Sequence, residues 1–493
     1  IKYTDVSFFS CERGLYMKFL EEYISIDNNK NGVTGLTDEL FCYYLYRKLV
    51  ENKKNILLVT NSLFEANKYY KMISDYTKDV YLFPMDDFLT SEALAISPEF
   101  KNTRLETMLA CLQEKNKIVV TNLMGYLRYL PKKEVYQSYF LTLKKDHDYQ
   151  MNELIEQLFK MGYQRQTIVS TTGEMAVRGF VIDLFPISNE MPIRIEFWGD
   201  TVDSIRMFDP ETQRTVKSLE EITIHPNTEF LTEKAVYVED SHHRFLPEYG
   251  KVSSIQDYLT ECSIVYSDYQ QICAGYENLL DEIFHYNIQL ELPGDTKYMN
   301  DFYELDHSAK DHFYYMGVEN LAKKVDLQKF HSTDITFLPK GVEEIRKYLL
   351  EQIKKGMTIV LSLRDRYQVN HLLEELNMED ALFVDQEHIV KHKINAIVFP
   401  LVKGFIINDL LVLTETELFH KSNERIVYKT NFKFGTKIRD INKLNVGDYI
   451  VHAVHGIGRY IGIKSLLKNG LEKDYLVLEY KDQDKLYIPV EKI

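Results

Sequence analysis

No run of 18 apolar residues occurs in this 493-residue chain, so no segment is built to cross a bilayer as a helix. Low-complexity tracts are also missing, which excludes a long disordered tail of biased composition. The chain opens at Ile1 without a basic-then-apolar leader, so no signal peptide is expected, and a start other than Met is what a fragment would show. Cysteine is scarce: Cys11, Cys42, Cys111, Cys262 and Cys273 are odd in number, widely spaced and never in a C-x-x-C pair. That pattern predicts neither a disulfide framework nor a zinc site, and it fits the reducing cytoplasm. No G-x-S-x-G, H-E-x-x-H or Cys-His arrangement is present, so the familiar hydrolase and metalloprotease signatures are excluded. Positive charge is in deficit, 59 Lys and Arg against 74 Asp and Glu, for a net charge of −15. Phosphate contacts need clustered cations, so the chain as a whole is not a nucleic-acid glove, and protein partners are expected instead.

What is present is globular and modular. Composition is 45% hydrophobic and 27% charged, and the length predicts three to five domains. Residues 36–50 place Leu36, Leu40, Tyr44 and Leu49 on one helical face. "NILLVTN" (55–61) reads as a buried parallel strand, followed by a helix through "SLFEANKYYKMISDY", a strand at 79–85, a helix near 101–115 and a strand at 117–122. This alternation predicts an α/β layer. Between about 165 and 214 the pattern turns β-rich. Ile193, Ile195 and Phe197 alternate with Arg194, Glu196 and Trp198 as in a half-buried strand, and "WGD" supplies a turn. "SIVYSD" (263–268) resumes the buried-strand pattern, so the β-rich part is expected to be an insertion. A second α/β alternation runs from about 325 to "DLLVLTETEL", a polar stretch at 421–441 reads as linker, and the last fifty residues are short strands expected to form a small barrel.

"NGVTGLTDEL" (31–40) begins as a phosphate-binding loop would and then departs from it. Laid from Gly32, with Gly35 as an additional glycine, G-x-x-x-x-G-K-[ST] puts Thr37 at the second glycine, Asp38 at the lysine and Glu39 at the magnesium-holding hydroxyl. At an effective dielectric near 20 and about 4 Å, a unit charge pair is worth roughly 4 kcal/mol. Exchanging attraction for repulsion therefore swings about 8 kcal/mol against a nucleotide. Acidic side chains in a first helical turn also satisfy the positive helix end themselves. The plain alternative is a turn with a good helix start.

The stretches "GVTG", "VRGFVIDLFP" with "MPIRIEFWGDTVDSIRMFDPETQRT", and "LNVGDYIVHAVHGIGRYIGIKSLL…DYLVLEYKDQDKLYIPVEKI" carry a resemblance. The first is similar to the opening of the loop in UvrB, the helicase-like protein of bacterial excision repair. The second resembles the UvrB domain that docks on UvrA, and still more its counterpart in bacterial transcription-repair coupling factors. The third is similar to the RNA-polymerase-interacting domain of that family, a fold shared with CarD-type regulators. The likeness is specific at 174–215 and 444–490 and loose elsewhere.

The resemblance implies an α/β multidomain protein. A helicase-like α/β domain (1–126 and 215–322) would hold an inserted α+β UvrA-binding module at 127–214. A third α/β domain (323–430, of spacer or scaffold role), a linker (431–441) and an SH3/Tudor-like β-barrel binding RNA polymerase (442–493) would complete the chain. The loop of Gly32, Gly35, Thr37, Asp38 and Glu39 is then a degenerate one. The strand "IVYSDY" keeps a single carboxylate, Asp268, where the family's motors carry an Asp-Glu magnesium pair, and 84–100 has no tyrosine where UvrB has its DNA-clamping hairpin.

By resemblance, Arg178, Phe185 and Arg194, with Arg165 and Arg206 as weaker members, form the UvrA patch. Parity puts Phe180, Ile182 and Leu184 in the core and leaves Phe185 on the other face; the alternative is that Phe185 is core and the arginines are solvated. In "GRYIGIKSLL", Tyr460, Lys464 and Leu466 share one parity, against Ile461 and Ile463, so Leu466 would face out on an edge open to β-augmentation; by resemblance Leu466, with Lys464, Tyr460 and Ile461, is the RNA polymerase contact. The alternative is a leucine folded into the small core. Residues 442–493 carry eight basic and seven acidic side chains, so no nucleic-acid patch is indicated there.

"GIGRYIG" (456–462) has the wrong spacing for a dinucleotide fingerprint, His452 and His455 lack further ligands, and "SHHR" (241–244) reads as a loop. The reading is thus a non-catalytic, cytoplasmic adaptor with no cofactor and no metal of its own, with ATP and magnesium belonging to translocase domains beyond it. Its partners are the RNA polymerase β subunit and UvrA, with DNA met mainly through those other domains and no membrane. The rivals are a UvrB-like ATPase that processes damaged DNA, and a CarD-like polymerase regulator.

Overall fold

The apolar run at 55–60 forms the strand Asn55–Thr60, buried at every position, as a parallel strand covered on both faces must be. The computed structural model of the chain describes residues 17–87, 98–232, 243–289, 291–293, 296–316, 325–336, 338–378, 381–384, 388–399, 401–419, 447–452, 456–468, 471–480 and 485–489. The linker 421–441 and most of 84–100, His455 and the loop 241–242 lie outside the described residues.

Asn55–Thr60 sits inside a seven-stranded sheet whose described pairings are all parallel. Ile118–Asn122 and then Val80–Phe83 lie on one side of it. Cys262–Ser267, His312–Met316, Gly32–Thr34 and Leu327–Lys329 lie on the other. The helices Asp38–Asn52, Leu63–Tyr76, Pro98–Cys111 and Tyr269–Gln289 alternate with these strands. Ser62 caps the second of them by accepting from the Glu65 N–H at 3.3 Å.

The helix Asp38–Asn52 departs from the expected single apolar face. Leu40 through Leu49 are buried on every side. Tyr43, Tyr44 and Tyr46 share a hydrophobic cluster with Val360, Phe399, Phe405 and Val412 of the segment 323–430. That segment forms its own six-stranded mixed sheet around the fully buried strand Thr358–Leu363, with the helices Val342–Lys354 and Arg366–Glu375. Its residues close over the helix, so a helix read as amphipathic is enclosed.

The β-rich insertion is a six-stranded sheet in the order Thr215–Leu219, Thr201–Phe208, Ile193–Trp198, Val181–Leu184, Glu174–Arg178, Gln164–Arg165. One face, with Ile182, Leu184, Ile193, Ile195 and Ile205, joins the main core. Glu221–Ile224 pairs antiparallel with Leu141–Lys144, so the strands of this module continue past Arg214. The chain then returns to the α/β body at Glu229. Its carboxylate accepts from Arg104 Nε at 2.7 Å and Nη2 at 3.1 Å, and from Arg128 Nε at 3.1 Å and Nη2 at 2.7 Å. All three side chains are buried. Burial alone would raise the pKa of Glu229, and the two guanidiniums outweigh it and hold the group down at about 2.

Residues 433–493 form a second unit. It is a four-stranded antiparallel sheet of Tyr449–His452, Gly456–Lys468, Leu471–Glu479 and Lys485–Pro489, with Tyr460, Leu476 and Leu478 in its core.

Candidate functional site

The glycines of the opening loop are demanded by neighbours. Gly32 lies in a strand, and a Cβ there would stand 2.4 Å from the Tyr314 carbonyl oxygen. Gly35 adopts φ +77°, and a Cβ on it would meet the Phe330 carbonyl oxygen at 2.0 Å. The chain at 327–332 occupies the space beside the loop. Phe330 N–H donates to Thr34 O, Ser332 N–H donates to Gly35 O, and Ser332 Oγ accepts from Thr37 N–H at 2.8 Å. The loop carbonyls of Thr34 and Gly35 and the Thr37 N–H, one of the donors a phosphate would need, are thereby committed to protein.

Asp38 and Glu39 are in the first helical turn as expected, yet their carboxylates turn to other side chains. Asp38 accepts from Tyr69 at 2.9 Å and pairs with Lys68. Glu39 is buried, accepts from Tyr76 Oη at 2.6 Å and from the Lys403 N–H at 3.2 Å, and burial pushes its pKa up to about 8. A nucleotide with magnesium does not fit this donor set: the lysine and hydroxyl positions are carboxyl groups, Asp38 already paired with Lys68 and Tyr69 and Glu39 buried against Tyr76. Asp268, at φ +58°, is held by Gln271. Among the described residues no cluster of His, Cys, Asp or Glu has metal-ligating geometry.

The arginine patch forms on the second face of the inserted sheet. Cross-strand register aligns Ala176, Asp183, Arg194 and Arg206 in one row, with Arg178 two residues along. Asp183, 1% exposed, bonds Arg178 and accepts from Arg194 Nε at 2.6 Å and Nη2 at 2.9 Å. Arg194 also meets Gln213 at 2.8 Å and lies 4.5 Å over the Phe208 ring. Arg206 pairs with Glu196; Arg165, exposed on the strand at the sheet's edge, is in register with Met175 of the core-facing row and does not join this one. The buried carboxylate thus holds two guanidiniums on this face, Arg178 half-exposed and Arg194 largely covered.

Phe185 requires a correction. It does lie on the arginine face, as its parity demands, but Val169 and Ala176 cover it and it is fully buried. Phe180, expected in the core, is 65% exposed because it sits in the turn between two strands. Trp198 at the neighbouring turn is 83% exposed, and the Phe197 N–H donates to the Phe180 carbonyl, so the two turns are adjacent. Sequence reasoning overlooked Asp183; its signal was a lone carboxylate inside "VIDLFP".

The carboxy-terminal unit corrects a second parity reading. The ladder between Gly456–Lys468 and Leu471–Glu479 shifts between Tyr460 and Gly462, where Ile461 bulges and Gly462 takes φ +123°. The bulge turns Tyr460 into the core, leaves Ile461 half-buried and exposes Ile463 and Lys464. Leu466 pairs with Lys473 through its backbone, and its side chain lies outside the described ones. Tyr449–His452 pairs only with Gly456–Arg459, and among the described residues no strand covers the same side of 461–468.

Two family models match the chain: the UvrB interaction domain at residues 141–230 and the CarD-like/TRCF RID domain at 444–493. The transcription-repair-coupling factor of Bacillus subtilis (strain 168) is 28% identical over 563 residues, covering 100% of this chain and 46% of that protein. Those of Staphylococcus haemolyticus and Staphylococcus aureus (strain MRSA252) are each 26% identical, covering 94% of this chain and 44% of theirs. The chain therefore spans less than half the length of these relatives. In the order of the two matched domains and along its whole length, the chain is similar to the amino-terminal part of the transcription-repair-coupling factors.

Proposed function

We propose that this chain is the non-catalytic adaptor portion of a transcription-repair coupling factor, acting in the cytoplasm in transcription-coupled nucleotide excision repair. It holds stalled RNA polymerase by the β subunit and recruits UvrA. The α/β body is a helicase-like scaffold that uses no nucleotide or metal, and the carboxy-terminal sheet belongs to an SH3/Tudor-like barrel. ATP-driven translocation falls to other parts of the whole protein.

One observation carries the UvrA half: a buried Asp183 orients Arg178 and Arg194 on the exposed face of a module matched as the UvrB interaction domain. Paired arginines beside aromatic side chains are common interface anchors. The uncovered side of 461–468 supports the polymerase half, since an open edge accepts a further strand.

Calorimetric titration of the chain with UvrA and with the polymerase β subunit tests both halves. Arg194→Ala is expected to weaken UvrA binding at least tenfold and leave β-subunit binding unchanged, and Leu466→Arg should do the reverse. Wild-type affinity for UvrA in Arg194→Ala and Arg178→Ala together would overturn the first assignment. Saturable micromolar ATP binding would favour a UvrB-like ATPase.

A further inference from the structure

The long helix Tyr269–Gln289 buries only one of its faces. Ile272, Tyr276, Leu279 and Ile283 pack inward. Leu280, Phe284 and Ile288, at successive four-residue steps, are 40%, 52% and 56% exposed, and Leu292, past the turn that ends the helix, is 41% exposed. Residues four apart stack along one helical face, so these three form a continuous apolar ridge of about 12 Å. Beside it runs a groove of about 320 Å³ whose floor includes Ile283, Tyr298 and Met299. Ridge and groove together expose on the order of 400 Å² of large side chains, within the range of the largest apolar patch on a monomer, which often serves an interaction.

Charge around this surface is predominantly negative, although Lys297 lines the groove and Arg244 lies 5.9 Å from the Tyr298 ring. From 269 to 308 the sequence holds eight Asp and Glu residues against a single cation, Lys297. Glu277 and Asp281 flank the ridge on the helix and are exposed. Glu277 is fixed there by the Tyr303 hydroxyl at 2.9 Å, and Asp301 by Tyr276 at 2.8 Å. An apolar ridge bordered by fixed carboxylates complements an apolar stripe bordered by lysine or arginine.

We propose that this ridge and groove form a third docking surface, and that its occupant is an amphipathic helix of a partner protein with apolar residues at three- and four-residue spacing and basic flanks. The partner helix lays its stripe along Leu280, Phe284 and Ile288, and its cations meet Glu277 and Asp281. This contact is separate from the arginine face and from the open edge, so it stands or falls independently of both.

Fluorescence anisotropy of a labelled 18-residue Leu/Lys amphipathic peptide, titrated with the full chain, reads the interaction. A Leu/Glu peptide of the same pattern is the charge control. The expected result is saturable binding of the Leu/Lys peptide alone, weakened at least tenfold in Phe284→Ser/Ile288→Ser. Glu277→Gln/Asp281→Asn, which leaves the ridge untouched, should weaken binding severalfold and flatten its salt dependence. Equal binding of both peptides, undiminished binding in either variant, or no saturation below about 1 mM overturns the proposal. Partition of the chain onto phosphatidylglycerol vesicles that is lost in Phe284→Ser/Ile288→Ser would instead assign the ridge to a lipid surface. A concentration-dependent dimer lost in that variant would assign it to a second copy.

Discussion

Glu229→Gln should loosen the inserted module from the α/β body without unfolding either. The carboxylate lies where the chain re-enters the body, buried between Arg104 of the helix Pro98–Cys111 and Arg128 just after the helix Leu123–Leu127. Its pKa falls from an ordinary 4.5 to about 2, and at 1.36 kcal/mol per unit this corresponds to about 3 kcal/mol at pH 7. Removing one member of a buried ion pair independently suggests roughly 3–5 kcal/mol. The folded pKa is the lower one, so this stability is complete above about pH 4.5 and is lost as pH falls through about 2. The deficit of the variant should therefore shrink from about 3 kcal/mol at pH 7 to about 1 kcal/mol at pH 3. Hydrogen exchange resolved by mass spectrometry reports local opening in a multidomain chain, where one global transition is not defined. Amides of Leu141–Lys144 and Glu221–Ile224 should exchange about a hundredfold faster in the variant at pH 7. Protection unchanged within threefold, or a deficit equal at the two pH values, would refute the reasoning.

Glu39 has the opposite sign. Its folded pKa of about 8 exceeds the ordinary 4.5, so stability is greatest while the group stays protonated and declines as pH rises through that interval. Glu39→Gln should make exchange in the helix Asp38–Asn52, corrected for intrinsic rate, independent of pH between 6 and 9; a slope like that of the wild type would contradict this. Gly35→Ala should cost at least about 2 kcal/mol, from left-handed backbone strain and the Phe330 carbonyl in its path, and should speed exchange at 327–334. A stabilised Gly35→Ala would show that the loop is free to move. Asp183→Asn should weaken UvrA binding severalfold while Arg178 and Arg194 remain in place, measured by the same titration as Arg194→Ala.

Strand and helix positions were legible because their signals are local. The apolar run at 55–60, the alternation at 193–198 and the β-rich insertion stand where periodicity put them. What failed depended on contacts between distant segments. Parity placed Phe185 on the correct face but could not announce that Val169 returns to cover it. Parity also runs only as far as the ladder is regular, and the bulge at Ile461 inverted the reading for Tyr460. The carboxyl groups of Asp38 and Glu39 were legible as hostile to phosphate. Their tyrosine partners, 31 and 37 residues downstream, were not. Asp183 became meaningful only once register brought Arg194 beside it.

The enclosure of the helix Asp38–Asn52 constrains how such a protein can be cut or recombined. Ending the polypeptide near 320 would strip Phe330 from Tyr44, Phe399 from Tyr76 and the Lys403 N–H from buried Glu39. A shortened version of this kind would present a sticky aromatic column and self-associate. Gene fusions and expression boundaries that respect the biology should therefore keep both α/β layers together and sever the polypeptide only beyond Phe419.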